Sequence, residues 1–174
     1  MATDLIHKDF FNPLFLFSNL RPKYLTPDIE LDSLYEIDIN GLKERNIKGI
    51  IFDVDNTLCP YHGISVDSKV RDSFNQIKEE FRTCVLSNTT SERVQELEKY
   101  FGLHVIKSKI KKPRVEPYLE AMEYLGTSPE ETAMVGDRLL TDIVGANRAG
   151  MLSIKVKPVD FYSDPKVLWL ARGV

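Results

Sequence analysis

Five short apolar runs, at residues 49–54, 83–87, 104–106, 132–135 and 151–156, alternate with amphipathic segments through most of the 174-residue chain. No other feature narrows the choice of fold as far. Parallel strands need a crossover long enough to hold a helix, so strands separated by helical segments specify stacked β-α units around a parallel sheet. Residues 67–81 place Val70, Phe74 and Ile77 on one helical face, and residues 91–101 do the same with Val94, Leu97 and Phe101. Ser91 and Glu92 suit a helix start, and Gly102 a stop. In residues 115–125, Pro117 is tolerable in the first turn and Gly126 ends the helix. Thr127-Ser128-Pro129-Glu130-Glu131 then offers capping chemistry ahead of the next strand. The expected fold is one α/β domain over residues 1–174, a Rossmann-like three-layer sandwich around a mainly parallel five-stranded sheet.

Composition restricts the partners. A net charge of −3, from 23 basic and 26 acidic residues, argues against nucleic acid. Cys59 and Cys84 lie far apart with no histidine at metal-ligand spacing, so neither a disulfide nor a zinc framework is expected. Nothing approaches the roughly 20 apolar residues of a spanning helix, and no basic-then-apolar leader opens the chain, which makes the cytoplasm the expected location. Residues 1–45 differ in character and form an N-terminal extension. Residues 10–17 hold four of the nine phenylalanines, followed by Arg21, Pro22 and Lys23. Two readings stand: this segment packs across the sheet, or it meets a membrane surface peripherally, where aromatics beside basic residues are favoured. Trp169 admits the same two readings.

In open parallel sheets, ligands bind beyond the carboxyl ends of the strands. Here those ends carry Asp53 and Asp55, then Ser87 and Asn88, then Asp137 followed by Asp142, with Lys112 after the third run. Asp53 and Asp55 are two apart, so extended backbone sends both side chains to the same side. Four carboxylates in one crevice repel unless protons or a cation offset them. A hard divalent cation held by oxygen ligands, Mg2+ in the first instance, is the simplest solution. Carboxylates, a hard metal, a lysine and a hydroxyl beside backbone N–H groups together suit a phosphoryl group, whose transfer is mostly a matter of stabilising charge on its oxygens.

The segments D-V-D-N-T-L (53–58), Ser87, Lys112 and G-D-x-x-x-x-D (136–142) follow the order of the four motifs of the haloacid dehalogenase (HAD) superfamily, which this chain resembles from Lys48 to about Pro158. The longer strings LSNTT, KKP and GDRLLTDIVGANRAG are similar to the class IIIA, YqeG-type phosphatases, relatives of the phosphatidylglycerophosphate phosphatases of mitochondria and plastids. The resemblance implies a HAD-like fold and a phosphohydrolase using Mg2+. It implies Asp53 as nucleophile and Asp55 as general acid and base. Lys112 would neutralise charge, with Lys111 as a rival. It implies Asn56, Thr57, Ser87 and Asn88 around the phosphate. The metal would be held by Asp53, Asp137 and the backbone carbonyl of Asp55, with Asp142 orienting the metal shell or Lys112. Dehalogenases proper lack an acid at the place of Asp55, so its presence points to phosphate esters. A receiver domain, which also phosphorylates an aspartate, is not expected to carry this G-D-x-x-x-x-D.

Cap domains of the superfamily are inserted after the first or the second motif. Asp53 and Ser87 are 34 positions apart and Ser87 and Lys112 are 25 apart, which leaves no room for a cap. An open site, unless an oligomeric partner covers it, suits a substrate that brings its own bulk: a phosphoprotein, a nucleic-acid end or, with the Phe-rich segment beside it, a membrane phospholipid. Soluble phosphate esters and a non-catalytic binding module are the alternatives. His62 and Cys59 follow the first motif closely, although a loop histidine is more often a plain surface residue. Asn147 and Arg148 fall on a helix and read as structural, and Cys84 reads as core.

Overall fold

The computed structural model describes residues 22–162, apart from the side chain of Ser91. The Phe-rich segment and Trp169 lie outside the described residues. Six strands pair in parallel in the order β1-β6-β5-β2-β3-β4. They are β1 Ile29–Leu31, β2 Gly49–Phe52, β3 Arg82–Leu86, β4 Val105–Ile106, β5 Thr132–Gly136 and β6 Leu152–Val156. The helices are α1 Ile39–Glu44, α2 Ser68–Glu80, α3 Ser91–Phe101, α4 Glu116–Leu125 and α5 Val144–Ala149.

The central strands β2 and β5 are buried at every position, as expected of a parallel sheet covered on both faces. Alternation along each strand sorts their side chains into two cores. Ile50, Phe52, Val85 and Val135 join Phe74 and Ile77 of α2, Leu97 and Phe101 of α3, and Leu42 of α1. Ile51, Cys84, Leu86 and Met134 join Tyr118, Met122 and Leu125 of α4 and Ala146 of α5. Phe74 stands edge-on between Phe52, at 5.2 Å, and Phe101, at 5.5 Å. Burying each such ring contributes about 2–3 kcal/mol. These two cores are the outer seams of the three-layer sandwich.

The helix limits follow the sequence signals. Asp67 caps α2 by accepting from Lys69 N, and Gly102 and Gly126 end α3 and α4 with positive φ (61° and 63°) that other residues seldom adopt. Pro117 falls in the first turn of α4, and Ser128 and Glu131 form a reciprocal capping box before β5.

The sheet has one strand more than the five expected. β1 comes from the N-terminal extension and pairs with β6 through Ile29↔Ile154, Glu30↔Lys155 and Leu31↔Val156. Three residues, one of them charged, carry no readable period, so only the neighbouring strand reveals this one. Ser153 and Asp28 exchange hydrogen bonds beside it. Asn147 Nδ2 donates to the carbonyls of Tyr24 and Thr26, tying the same extension to α5. Among the described residues no cap domain interrupts the β-α units, and no helix is long and apolar enough to cross a membrane.

Candidate active site

Chain order reverses around β2: the strands that follow it run outward one way, and β5, β6 and β1 lie the other way. A crevice forms at the carboxyl ends beside such a switch point. Asp53 N donates to Val135 O at 2.9 Å, extending the pairing one residue beyond β2 and holding the Asp53 carboxylate at that mouth. Asp137 follows directly on β5. A π-type turn, Leu139–Ile143, then swings Asp142 back, so that its Oδ2 accepts from Arg138 N at 3.0 Å. A Cβ at Gly136 would stand 2.5 Å from the Asp142 carboxyl group, so the return of Asp142 requires glycine there.

Asp53, Asp137 and Asp142 each present a carboxylate oxygen within 4.8 Å of the others, and all three are buried. Lys112 joins them: Nζ lies 2.6 Å from Asp53 Oδ1 and 2.7 Å from Asp142 Oδ1. Lys111, the alternative in sequence, is exposed, whereas Lys112 is buried. Asn88 fixes the backbone of Lys112 from both sides, accepting from its N at 3.0 Å and donating to its carbonyl at 3.3 Å.

The charges in this cluster do not balance. Burial pushes the Asp53 carboxyl up to about 7; Lys112 opposes that rise, and the carboxylates of Asp142 and Asp137 add to it. Burial disfavours the Lys112 charge, yet Asp142 and Asp53 outweigh it and hold the ammonium above its ordinary value. Asp53 Oδ2 is buried without a hydrogen-bond partner. An orphaned carboxylate oxygen in an all-oxygen cluster of surplus negative charge fits a hard divalent cation.

Of the four carboxylates expected in one crevice, Asp53, Asp137 and Asp142 form the tight cluster. Asp55 lies past the end of β2, which stops at Phe52, so strand alternation no longer fixes the direction of its carboxylate. Its Oδ1 accepts from Arg93 at 2.8 Å and from His62 N at 3.0 Å. Asn56 is fully buried, and its Oδ1 accepts from Asp160 N at 3.0 Å. Thr57 is buried with an unpartnered hydroxyl, and Ser87 is half-buried at the end of β3. Cys59 Sγ donates to Gly63 O at 2.9 Å, and burial, with Asp55 beside it, pushes its thiol up to about 12, which suits a structural thiol. His62 is exposed. Arg93, in the first turn of α3, was not legible as a site residue: no motif contains it, and it stands one turn before Leu97, where the apolar pattern assigns the helix face to the core.

Comparison with known proteins identifies the family. A family model described as "Mitochondrial PGP phosphatase" matches residues 14–159. The chain is 33% identical to the probable phosphatase YqeG of Bacillus subtilis, over 79% of this chain and 80% of that one. It is 30% identical to phosphatidylglycerophosphate phosphatase 1 (chloroplastic/mitochondrial) of Arabidopsis thaliana, over 86% of this chain but only 46% of that protein. Among solved structures, the cobalt-bound deoxy-D-mannose-octulosonate 8-phosphate phosphatase of Haemophilus influenzae shares the fold with a TM-score of 0.51 at 23% identity, over 74% of this chain and 77% of that one. With the parallel sheet, the Asp-Lys-Asp cluster at its mouth and these matches together, the chain belongs to the mitochondrial PGP phosphatase family and is a HAD-type phosphohydrolase.

Proposed function

We propose that the protein is a Mg2+-dependent phosphatase that cleaves a phosphate monoester through an aspartyl phosphate on Asp53, and that its substrate is phosphatidylglycerophosphate. The observation that carries this reading is the buried Asp53 carboxylate, with Oδ1 paired to Lys112 and Oδ2 left without a partner. Asp53, Asp137 and the Asp55 carbonyl are the residues that would hold Mg2+, which when bound supplies positive charge to the phosphoryl oxygens.

An Asp53 oxygen attacks phosphorus while the ester P–O bond breaks, and the departing oxygen takes a proton from the Asp55 carboxyl group. Water then attacks phosphorus, gives its proton to the Asp55 carboxylate, and the bond from phosphorus to Asp53 breaks to release inorganic phosphate. Lys112 stabilises the nucleophile and the charge that builds on the transferring oxygens, and Asp142 orients Lys112. Ser87, the backbone at Asn88 and the Thr57 hydroxyl are the groups proposed to hold phosphoryl oxygens. The Asn56 and Asn88 side chains support the surrounding backbone instead.

The lipid reading is supported by the names of the relatives and by the end of the sheet, over which no cap domain lies among the described residues, so that a headgroup can enter while attached to a membrane. Exposed Lys107, Lys109 and Lys111 lead up to Lys112, and lysines near an anionic leaflet contribute about 1 kcal/mol each to peripheral attachment. The test is phosphate release from vesicles containing phosphatidylglycerophosphate, with Mg2+ and with excess chelator. Mg2+-dependent release that Asp53→Asn abolishes is the expected result. Turnover of soluble phosphate esters without release from the lipid would remove the lipid assignment, and undiminished release by Asp53→Asn would remove the nucleophile.

A further inference from the structure

Arg93 is a buried charge spent on a single loop. Its side chain is 9% exposed, and its described hydrogen bonds all go to the loop that follows Asp53. One terminal nitrogen donates to Asp55 Oδ1 at 2.8 Å and to Gly63 O at 2.9 Å, and the other donates to His62 O at 2.9 Å. A buried guanidinium is costly unless it is well paired, and replacing such a pair by apolar side chains often stabilises a protein. The loop it grips holds two residues other than glycine in the left-handed region, Asn56 at φ 65° and His62 at φ 56°. His62 N, set by that turn, donates to the same Asp55 Oδ1 at 3.0 Å. Two donors therefore converge on one oxygen of Asp55, and neither engages Oδ2.

We infer that Arg93 is a positioning residue for Asp55. By holding Oδ1, it fixes the carboxyl rotamer and leaves Oδ2 as the atom that exchanges the proton with the leaving group. The inference rests on the proposed role of Asp55 as general acid. In the first step, the proton on Oδ2 passes to the ester oxygen as its bond to phosphorus breaks; Asp55 is left as carboxylate, and the Arg93 guanidinium lies against the charge so formed.

The test exploits leaving groups. An alkyl phosphate such as glycerol 3-phosphate needs its departing oxygen protonated, whereas p-nitrophenyl phosphate releases a stable phenolate. Arg93→Met is expected to lower kcat on the alkyl ester about 10- to 100-fold and on the aryl ester less than about 3-fold, because general acid catalysis contributes about 10²–10⁴-fold. Asp55→Asn should show the same split more strongly, and adding Arg93→Met to it should cost nothing further on the alkyl ester. Arg93→Lys keeps the charge without the two-pronged grip, and it should show a smaller split in the same direction even if Arg93→Met folds poorly. A split in Asp55→Asn with equal loss on both esters, or none, in both Arg93 variants would overturn the inference while leaving Asp55 as the acid. No split in Asp55→Asn would overturn the general-acid role, and the inference with it. A merely structural Arg93 would slow both esters alike.

Discussion

Asp53→Asn is expected to inactivate the protein and, in the absence of metal, to stabilise it. A carboxyl whose pKa is about 7 folded and 3.8 in the unfolded chain binds more protons when folded. Stability therefore falls as pH rises from about 4 to 7 and levels off above, as the unfolded chain gives up its proton first. At about 1.4 kcal/mol for each tenfold change in proton affinity, the difference amounts to about 4 kcal/mol as an upper limit. Asparagine keeps the shape, and its carbonyl still accepts from Lys112, so the variant escapes this penalty; the attraction of Lys112 for the ionised carboxylate is already contained in the shifted pKa. The net gain expected at pH 8 is at most about 4 kcal/mol, shrinking toward zero at pH 4. In a domain of this size that corresponds to a rise in Tm of at most about 8–16 °C. Urea denaturation in EDTA from pH 4 to 8, wild type beside variant, reads it directly. Millimolar Mg2+ should narrow the gap at pH 8, because a cation that binds only the folded wild type stabilises it by mass action. A variant less stable than wild type at pH 8, or a difference that does not change with pH, would refute the argument that uncompensated charge is buried at Asp53.

Two substitutions probe the supports of the site. Asn88→Ala removes both hydrogen bonds to the Lys112 backbone; it should cost about 1–2 kcal/mol in chemical denaturation and lower kcat about 10- to 100-fold as the ammonium loses its register. Gly136→Ala sets a methyl group 2.5 Å from the buried Asp142 carboxyl; an overpacking cost of about 1–3 kcal/mol should appear as a lower Tm, together with near-complete loss of phosphate release.

Some of the site was legible because its residues are attached to legible elements. Asp53 and Asp137 follow directly on strands whose apolar runs are unmistakable, so a parallel sheet places both at one mouth. Other parts were not. Asp55 lies past the end of β2, where period-two alternation fails, and its carboxylate is held by Arg93 and by His62 N. Arg93 is 38 residues from its partner, on a helix whose apolar pattern reports only the face turned to the core. The choice between Lys111 and Lys112 also needed the fold, since adjacent residues differ in burial only once the loop has a path.

Taken alone, the sequence determined the alternation of strands and helices and the helix ends, because these depend on neighbours along the chain and on hydrophobic period; the acids and the Lys111–Lys112 pair stood out by their resemblance to the HAD motifs. Tertiary structure alone decided the sixth strand, which has no identity apart from β6, and the partners of Asn56, Asn88 and Arg93, which lie 104, 24 and 38 residues away. It also decided that Asp53 sits where burial outweighs its lysine. Pairings and desolvation of that kind are properties of distance in space, which local pattern does not encode.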